Sequence, residues 1–199
     1  MISSSMPFPP VSWWRQASSA QHITFDLAEH YQKMSYRNRY YLAAPAGKML
    51  MSLPLEKGRN QRIPVQEVRL SERDVWQDNH WKTIVSLYGR APFFEHFSHQ
   101  LEPLFRQPFA LLHDFNKAGI ILVTQLLKLP LIFDETRQFI ERYPDDITDL
   151  RHGLRPQQPA AVPEYYQVFA DRTGFQSDCS ILDLLFCEGP YAAVWLRQE

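Results

Sequence analysis

Residues 30–41 place a histidine, a lysine, two arginines, an asparagine and four tyrosines within twelve positions, with no acid among them. Guanidinium forks and ammonium groups pair with phosphate or carboxylate, and aromatic rings shield such contacts from water. The chemistry this pattern suits is recognition of a small anion. His30, Lys33, Arg37 and Arg39 are the candidate anion ligands. On a strand, Arg37 and Arg39 would share one face, and Tyr36, Asn38 and Tyr40 the other. Asn38 and the distant Gln167 would then orient polar groups of the ligand. The plain alternative is a solvated strand whose tyrosines cap a core.

Two further residues have the chemistry of a catalyst. His80 lies on an apolar helical stripe with Trp76, Ile84 and Leu87. An imidazole with an ordinary pKa near about 6.5 serves as a general base if it lines a cleft, and as a satisfied core group if it does not. Glu188 follows Leu184-Leu185-Phe186-Cys187 and precedes Gly189-Pro190. A carboxylate at such an apolar junction needs a partner, and an arginine of the opening stretch is the candidate. The other chemistries lack a pattern. Seven histidines include one helical pair, His96 and His99, without further ligands at metal-motif spacing, so no metal site is expected. Cys179 and Ser180 sit in no nucleophile motif. No Gly-rich phosphate loop is present, and nothing assigns a cofactor.

These side chains need elements to hold them. Strands are expected near 1–5, 22–26, 36–43, 48–55, 65–70 and 165–169. Helices are expected over 11–19, with Ser12 as a candidate cap, then 76–88, 92–105, 109–129 and 180–186. Leu131–Phe133 reads as a short strand, Arg137–Tyr143 as a helical turn and Tyr191–Leu196 as a final helix or strand. Ala44-Pro45-Ala46-Gly47 reads as a hairpin turn. Residues 144–163, rich in Pro, Gln and Asp, read as a loop or partly mobile linker. The fold class is α/β with a mixed sheet. It has a Rossmann-like opening strand–helix–strand, a helical middle and a C-terminal strand–helix, in a single domain over 1–199.

Bulk properties narrow the partners. The chain has 199 residues and a net charge of −1, with 45% hydrophobic and 14% aromatic residues. Charge is nevertheless uneven. From His30 to Arg69 eight Lys or Arg stand against Glu56 and Glu67, and from Asp134 to Asp149 six acids stand against Arg137 and Arg142. A local basic field without a global one favours a small anionic ligand and argues against nucleic acid. No apolar run is long enough to span a membrane, and no signal peptide is expected. Two cysteines too far apart on one helix to bridge suit a reducing cytoplasm. Nothing in the sequence sets the oligomeric state.

Taken in order, several blocks resemble the WbqC-like protein family of bacteria. They are Phe8-Pro9-Pro10, Glu29-His30-Tyr31-Gln32-Lys33, Ser35-Tyr36-Arg37-Asn38-Arg39, His80-Trp81-Lys82-Thr83-Ile84 and Ala91-Pro92-Phe93-Phe94-Glu95. Tyr166-Gln167-Val168-Phe169, Ser180–Phe186 and Glu188-Gly189-Pro190 continue the likeness toward the C-terminus. The family takes its name from a gene of O-antigen clusters. The resemblance therefore implies a transferase of surface-polysaccharide synthesis acting on an anionic activated donor, a sugar nucleotide or an acyl or aminoacyl donor. It also implies that 144–163 is shortened relative to longer members. The competing reading is a non-catalytic anion-binding or protein-interaction scaffold, its basic segment meeting the acidic 134–149 stretch of another chain.

Overall fold

The computed structural model describes residues 1–72 and 75–198. Pro7, Pro9 and Pro10 cannot continue a ladder, so the first strand is short. β1 (Ile2–Ser3) leads through them into α1 (Val11–Ala20) and back into β2 (His22–Asp26). β1 and β2 pair in parallel, Ile2 opposite Thr24. The opening strand–helix–strand is thus a parallel β–α–β unit. Ser12 is not the cap of α1 but lies one residue inside it. The cap comes from across the chain, where the Asp178 carboxylate accepts from the Ser12 backbone N–H at 2.8 Å and its hydroxyl at 2.9 Å.

A hairpin follows, β3 (Arg39–Ala44) and β4 (Gly47–Ser52), closed by Pro45-Ala46 with Gly47 at φ +99°. The helical middle contains α2 (Trp76–Tyr88), α3 (Phe94–Leu101) and α4 (Leu112–Leu126). β5 (Ile132–Thr136) then returns to pair in parallel along all of β2. The C-terminal part carries α5 (Ala170–Thr173), α6 (Ile181–Glu188) and α7 (Ala192–Trp195). Sheet order is β1-β2-β5, and β3-β4 forms a separate pair. The expected mixed sheet is therefore two sheets, one purely parallel and one antiparallel.

One hydrophobic cluster runs from Met6 to Leu196. Phe8, fully buried, joins its parts, its ring meeting those of Tyr40 at 5.3 Å and of Phe105 and Phe115 at 5.8 Å. It does so at a backbone φ of +40°, rare for a side chain of that size.

Four local expectations are corrected. Tyr36–Asn38 is a 3₁₀ turn, because the Ser35 hydroxyl accepts from Arg37 N–H and offers the backbone an alternative to a ladder. Arg37 therefore does not share a strand face with Arg39. Residues 65–70 hold a 3₁₀ turn (Val65–Glu67) and single bridges to Leu55 and Leu111 instead of a strand. Tyr165–Phe169 has no strand partner, since its polar groups turn to side chains: Tyr166 N–H donates to Glu188 and Gln167 bonds Gln176. Arg137–Tyr143 is irregular and not helical.

The loop over 144–163 is irregular as expected, but part of it is packed. Ile2 N–H donates to Thr148 at 2.8 Å and Leu150 N–H to Ile2 at 2.9 Å, so 148–150 lies along β1 in parallel. Four segments then point the same way, and their carboxyl ends bring Ser4, Asp26, Thr136 and Arg151 to one edge. Clefts at this edge of a parallel sheet are where ligands bind in open α/β folds.

Candidate functional site

Asp26 ends β2 and is completely buried. Its Oδ1 accepts from the backbone N–H groups of Ala28 and Glu29, both at 3.0 Å, which fixes the turn after the strand. Its Oδ2 accepts from Arg151 Nη1 at 2.7 Å. Arg151 is also held by Asp149 and by the carbonyls of Ile140 and Glu141. Hydrogen bonding to Asp149, then to Asp26, keeps its guanidinium charged well beyond ordinary arginine behaviour.

Arg37 sits beside it. Nε and Nη2 grip Glu29 in a bidentate pair at 3.0 and 2.5 Å, with both side chains about 3% exposed. Nη2 also donates to the Arg151 carbonyl at 3.1 Å, which accepts from the Ser4 hydroxyl at 3.3 Å as well. Among the described residues Arg37 Nη1 has no partner, and it is not among the fully buried unpaired atoms. Asn116 on α4 steadies the turn by donating to the Arg37 carbonyl at 3.0 Å.

These two arginines floor a cavity of about 270 Å³, with Lys33, Ser35, His152 and Arg155 among its walls. Two guanidiniums face three carboxylates, Glu29, Asp26 and Asp149, so the floor has no surplus positive charge and attraction for an anion rests on the rim. Lys33 and Arg155 are exposed and have no ion pair among the described residues, and no acid lines the cavity. His152 stands at the rim, Nδ1 3.3 Å from Gln32 Nε2. The arrangement is a rigid floor, with Arg37 Nη1 as its unspent donor, under the free cations Lys33 and Arg155, a setting for phosphate or carboxylate.

The structure brings Lys33 and Arg37 to this cavity and leaves the other expected residues elsewhere. His30 is exposed and bridges Pro64 through its backbone. Asn38 is buried, accepting from Tyr31 at 2.9 Å and donating to the Leu53 carbonyl at 2.9 Å, which ties the turn to the hairpin. Arg39 opens β3 half-buried, with its Nε buried and unpartnered.

His80 is in the core. Its Nδ1 lies 2.9 Å from the Tyr40 hydroxyl, and the ring also bonds the Ser52 backbone. Burial pulls its pKa down to about 4, with the Ser52 bond opposing. Gln167 and Asp183 belong to another buried group, where Tyr88, Tyr165 and Gln167 all donate to the Asp183 carboxylate at 2.6–2.7 Å. Burial raises the Asp183 pKa against those bonds. Glu188 ends α6, and its partner is Tyr166 N–H at 3.0 Å, not an arginine. Arg37, His80 and Glu188 thus do not converge.

Sequence reasoning missed Arg151, Asp26, Glu29, His152 and Arg155. Glu29 stands directly before the basic stretch, and Asp26 is the polar end of a buried strand. Arg151 gave no signal, because its neighbours read as linker. The acidic stretch is spent at home: of its six acids, Glu135, Asp145 and Asp149 pair with Lys117, Arg142 and Arg151, and Asp134 bonds the His22 ring.

No helix among the described residues is long and apolar enough to cross a membrane. No three His, Cys, Asp or Glu side chains among them gather as metal ligands. No curated protein and no solved structure matches the chain. A family profile does match, over residues 5–152. That span includes Asp26, Glu29, Lys33, Arg37, Arg151 and His152, and ends before Arg155 and the C-terminal block around Gln167. On that match the chain belongs to the WbqC-like protein family.

Proposed function

We propose that the cavity over Arg37 and Arg151 binds the anionic part of an activated donor, and that the protein is a transferase of surface-polysaccharide synthesis. The observation that carries this is the pair of free cations, Lys33 and Arg155, above two guanidiniums that are already fixed by inner acids. The five N–H groups of Arg151 are taken by Asp26, Asp149 and the carbonyls of Ile140 and Glu141, so the floor donor left for a ligand is Arg37 Nη1, and a donor fixed in this way costs no reorganisation when negative charge arrives or develops. The donor is a sugar nucleotide, or an acyl or aminoacyl group on a phosphate-bearing carrier. Work on such a donor suits the cytoplasm, as do two buried, unpaired thiols.

The scaffold reading, with this basic segment on the acidic stretch of a second copy, loses support because that stretch pairs mostly within its own chain. Calorimetry with inorganic pyrophosphate and a panel of sugar nucleotides tests the donor site. Wild type is expected to bind, and Lys33→Gln to weaken binding about tenfold, the worth of one charge-assisted contact. Equal binding by both proteins, or none by wild type, removes the proposal.

A further inference from the structure

Beside the cavity lies a second cleft of about 430 Å³, lined by Tyr31, Gln32, Lys33 and the loop over residues 59–62. Gln32 and Lys33 line both. The two spaces therefore adjoin, with Gln32 and Lys33 on the shared wall. The loop that makes the far side is anchored, since Tyr31 N–H donates to Ile63 at 2.9 Å and Gln61 Nε2 to the Gly58 carbonyl at 2.8 Å.

Charge in the second cleft is unbalanced. Arg59 and Arg62 have no ion pair among the described residues, and no acid lines the cleft. The field reaches inward as well. Tyr31 is pushed above its ordinary pKa by burial, while the charges of Arg39, Arg37 and Arg59 pull the other way. Arg39 adds a buried Nε that has no partner among the described residues. A phosphate seated over Arg37 and Arg151 would leave Arg59 and Arg62 uncompensated. The cleft also offers groups that charge alone does not call for. The side-chain amides of Gln32 and Asn60 both donate and accept, which matches sugar hydroxyls.

We infer, resting on the anion-site reading above, that the ligand is a phosphate-linked sugar acid. Its phosphate occupies the Arg37–Arg151 cavity, its ring passes Lys33, and its carboxylate meets the forks of Arg59 and Arg62. Guanidinium and carboxylate match as paired donors and acceptors, a geometry that a neutral hydroxymethyl group does not reproduce.

Glucose 1-phosphate and glucuronic acid 1-phosphate differ only at that carboxylate, so calorimetry with both tests the assignment. Wild type is expected to bind the uronate at least about tenfold more tightly. The double variant Arg59→Gln/Arg62→Gln, which changes only exposed side chains, is expected to bind both as weakly as wild type binds glucose 1-phosphate, with an unchanged unfolding midpoint. Equal affinities in wild type, or a preference that survives in the variant, overturns the sugar-acid assignment alone. Failure of wild type to bind either compound overturns the anion site beneath it, and the assignment with it.

Discussion

Asp26 shows how much of the site is fixed before any ligand arrives. Its carboxylate is fully buried, accepts two backbone N–H groups and faces Arg151. Breaking a buried pair strands the remaining charge, so Asp26→Asn is expected to cost on the order of 3 kcal/mol in urea unfolding. A loss below about 1 kcal/mol, the range of a surface pair, would show that Asp149 and the carbonyls hold Arg151 unaided.

His80 carries a pH prediction. Its folded pKa of about 4 lies below the ordinary 6.5. Above pH 6.5 the ring is neutral in both states and costs nothing. As pH falls toward 4 the unfolded chain takes up a proton that the folded one refuses, so stability declines, in total by about 3 kcal/mol. His113, also pushed down by burial, declines in the same direction. His80→Gln should flatten the fall in urea midpoint between pH 6.5 and 4, and an unchanged slope would contradict the buried neutral ring. At this scale the sequence showed Arg37 and Lys33 because they sit in a visibly basic run. It hid Arg151, whose partner Asp26 is far away in the chain and whose neighbours look like loop.

Elements were legible where local pattern and partner agree. His22–Asp26 alternates and is flanked on both sides by parallel partners, so it forms where expected. Tyr165–Phe169 has comparable residues but no neighbouring strand, and its backbone turns to Glu188 instead. The run 36–43 divides at Arg39, because the Ser35 hydroxyl captures the turn and β4 supplies pairing only as far as Ser52. Helix ends were clearer where geometry leaves one choice. Gly189 closes α6 at φ +57°, and a Cβ there would clash with the Phe93 ring. Gly189→Ala combines backbone strain with overpacking, so its expected cost is on the order of 3 kcal/mol. A thermal midpoint equal to wild type would mean that Phe93 moves aside freely. The cap of α1 could not be read locally, since Asp178 comes from the other end of the chain.

At the scale of the molecule, the parallel sheet gathers chain from four distant stretches at its carboxyl edge. Ser4, Asp26, Arg37 and Arg151 meet there by hydrogen bonds, while Lys33 and Arg155 lean in from the rim. Net charge of −1 hides this, because the acids that balance the total lie under the floor or on other faces. The segment that reads as a spacer, 144–163, supplies both Arg151 and Arg155, so its shape sets the cavity wall. The central claim is that this edge binds an anion through its rim cations. Calorimetric titration of inorganic pyrophosphate into wild type and Arg155→Glu tests it most directly. The account predicts binding to wild type that weakens with salt, and at least about a hundredfold loss in the variant, since the change removes one favourable charge and adds a repulsive one. The unfolding midpoint should not change. Equal dissociation constants for the two proteins would contradict it.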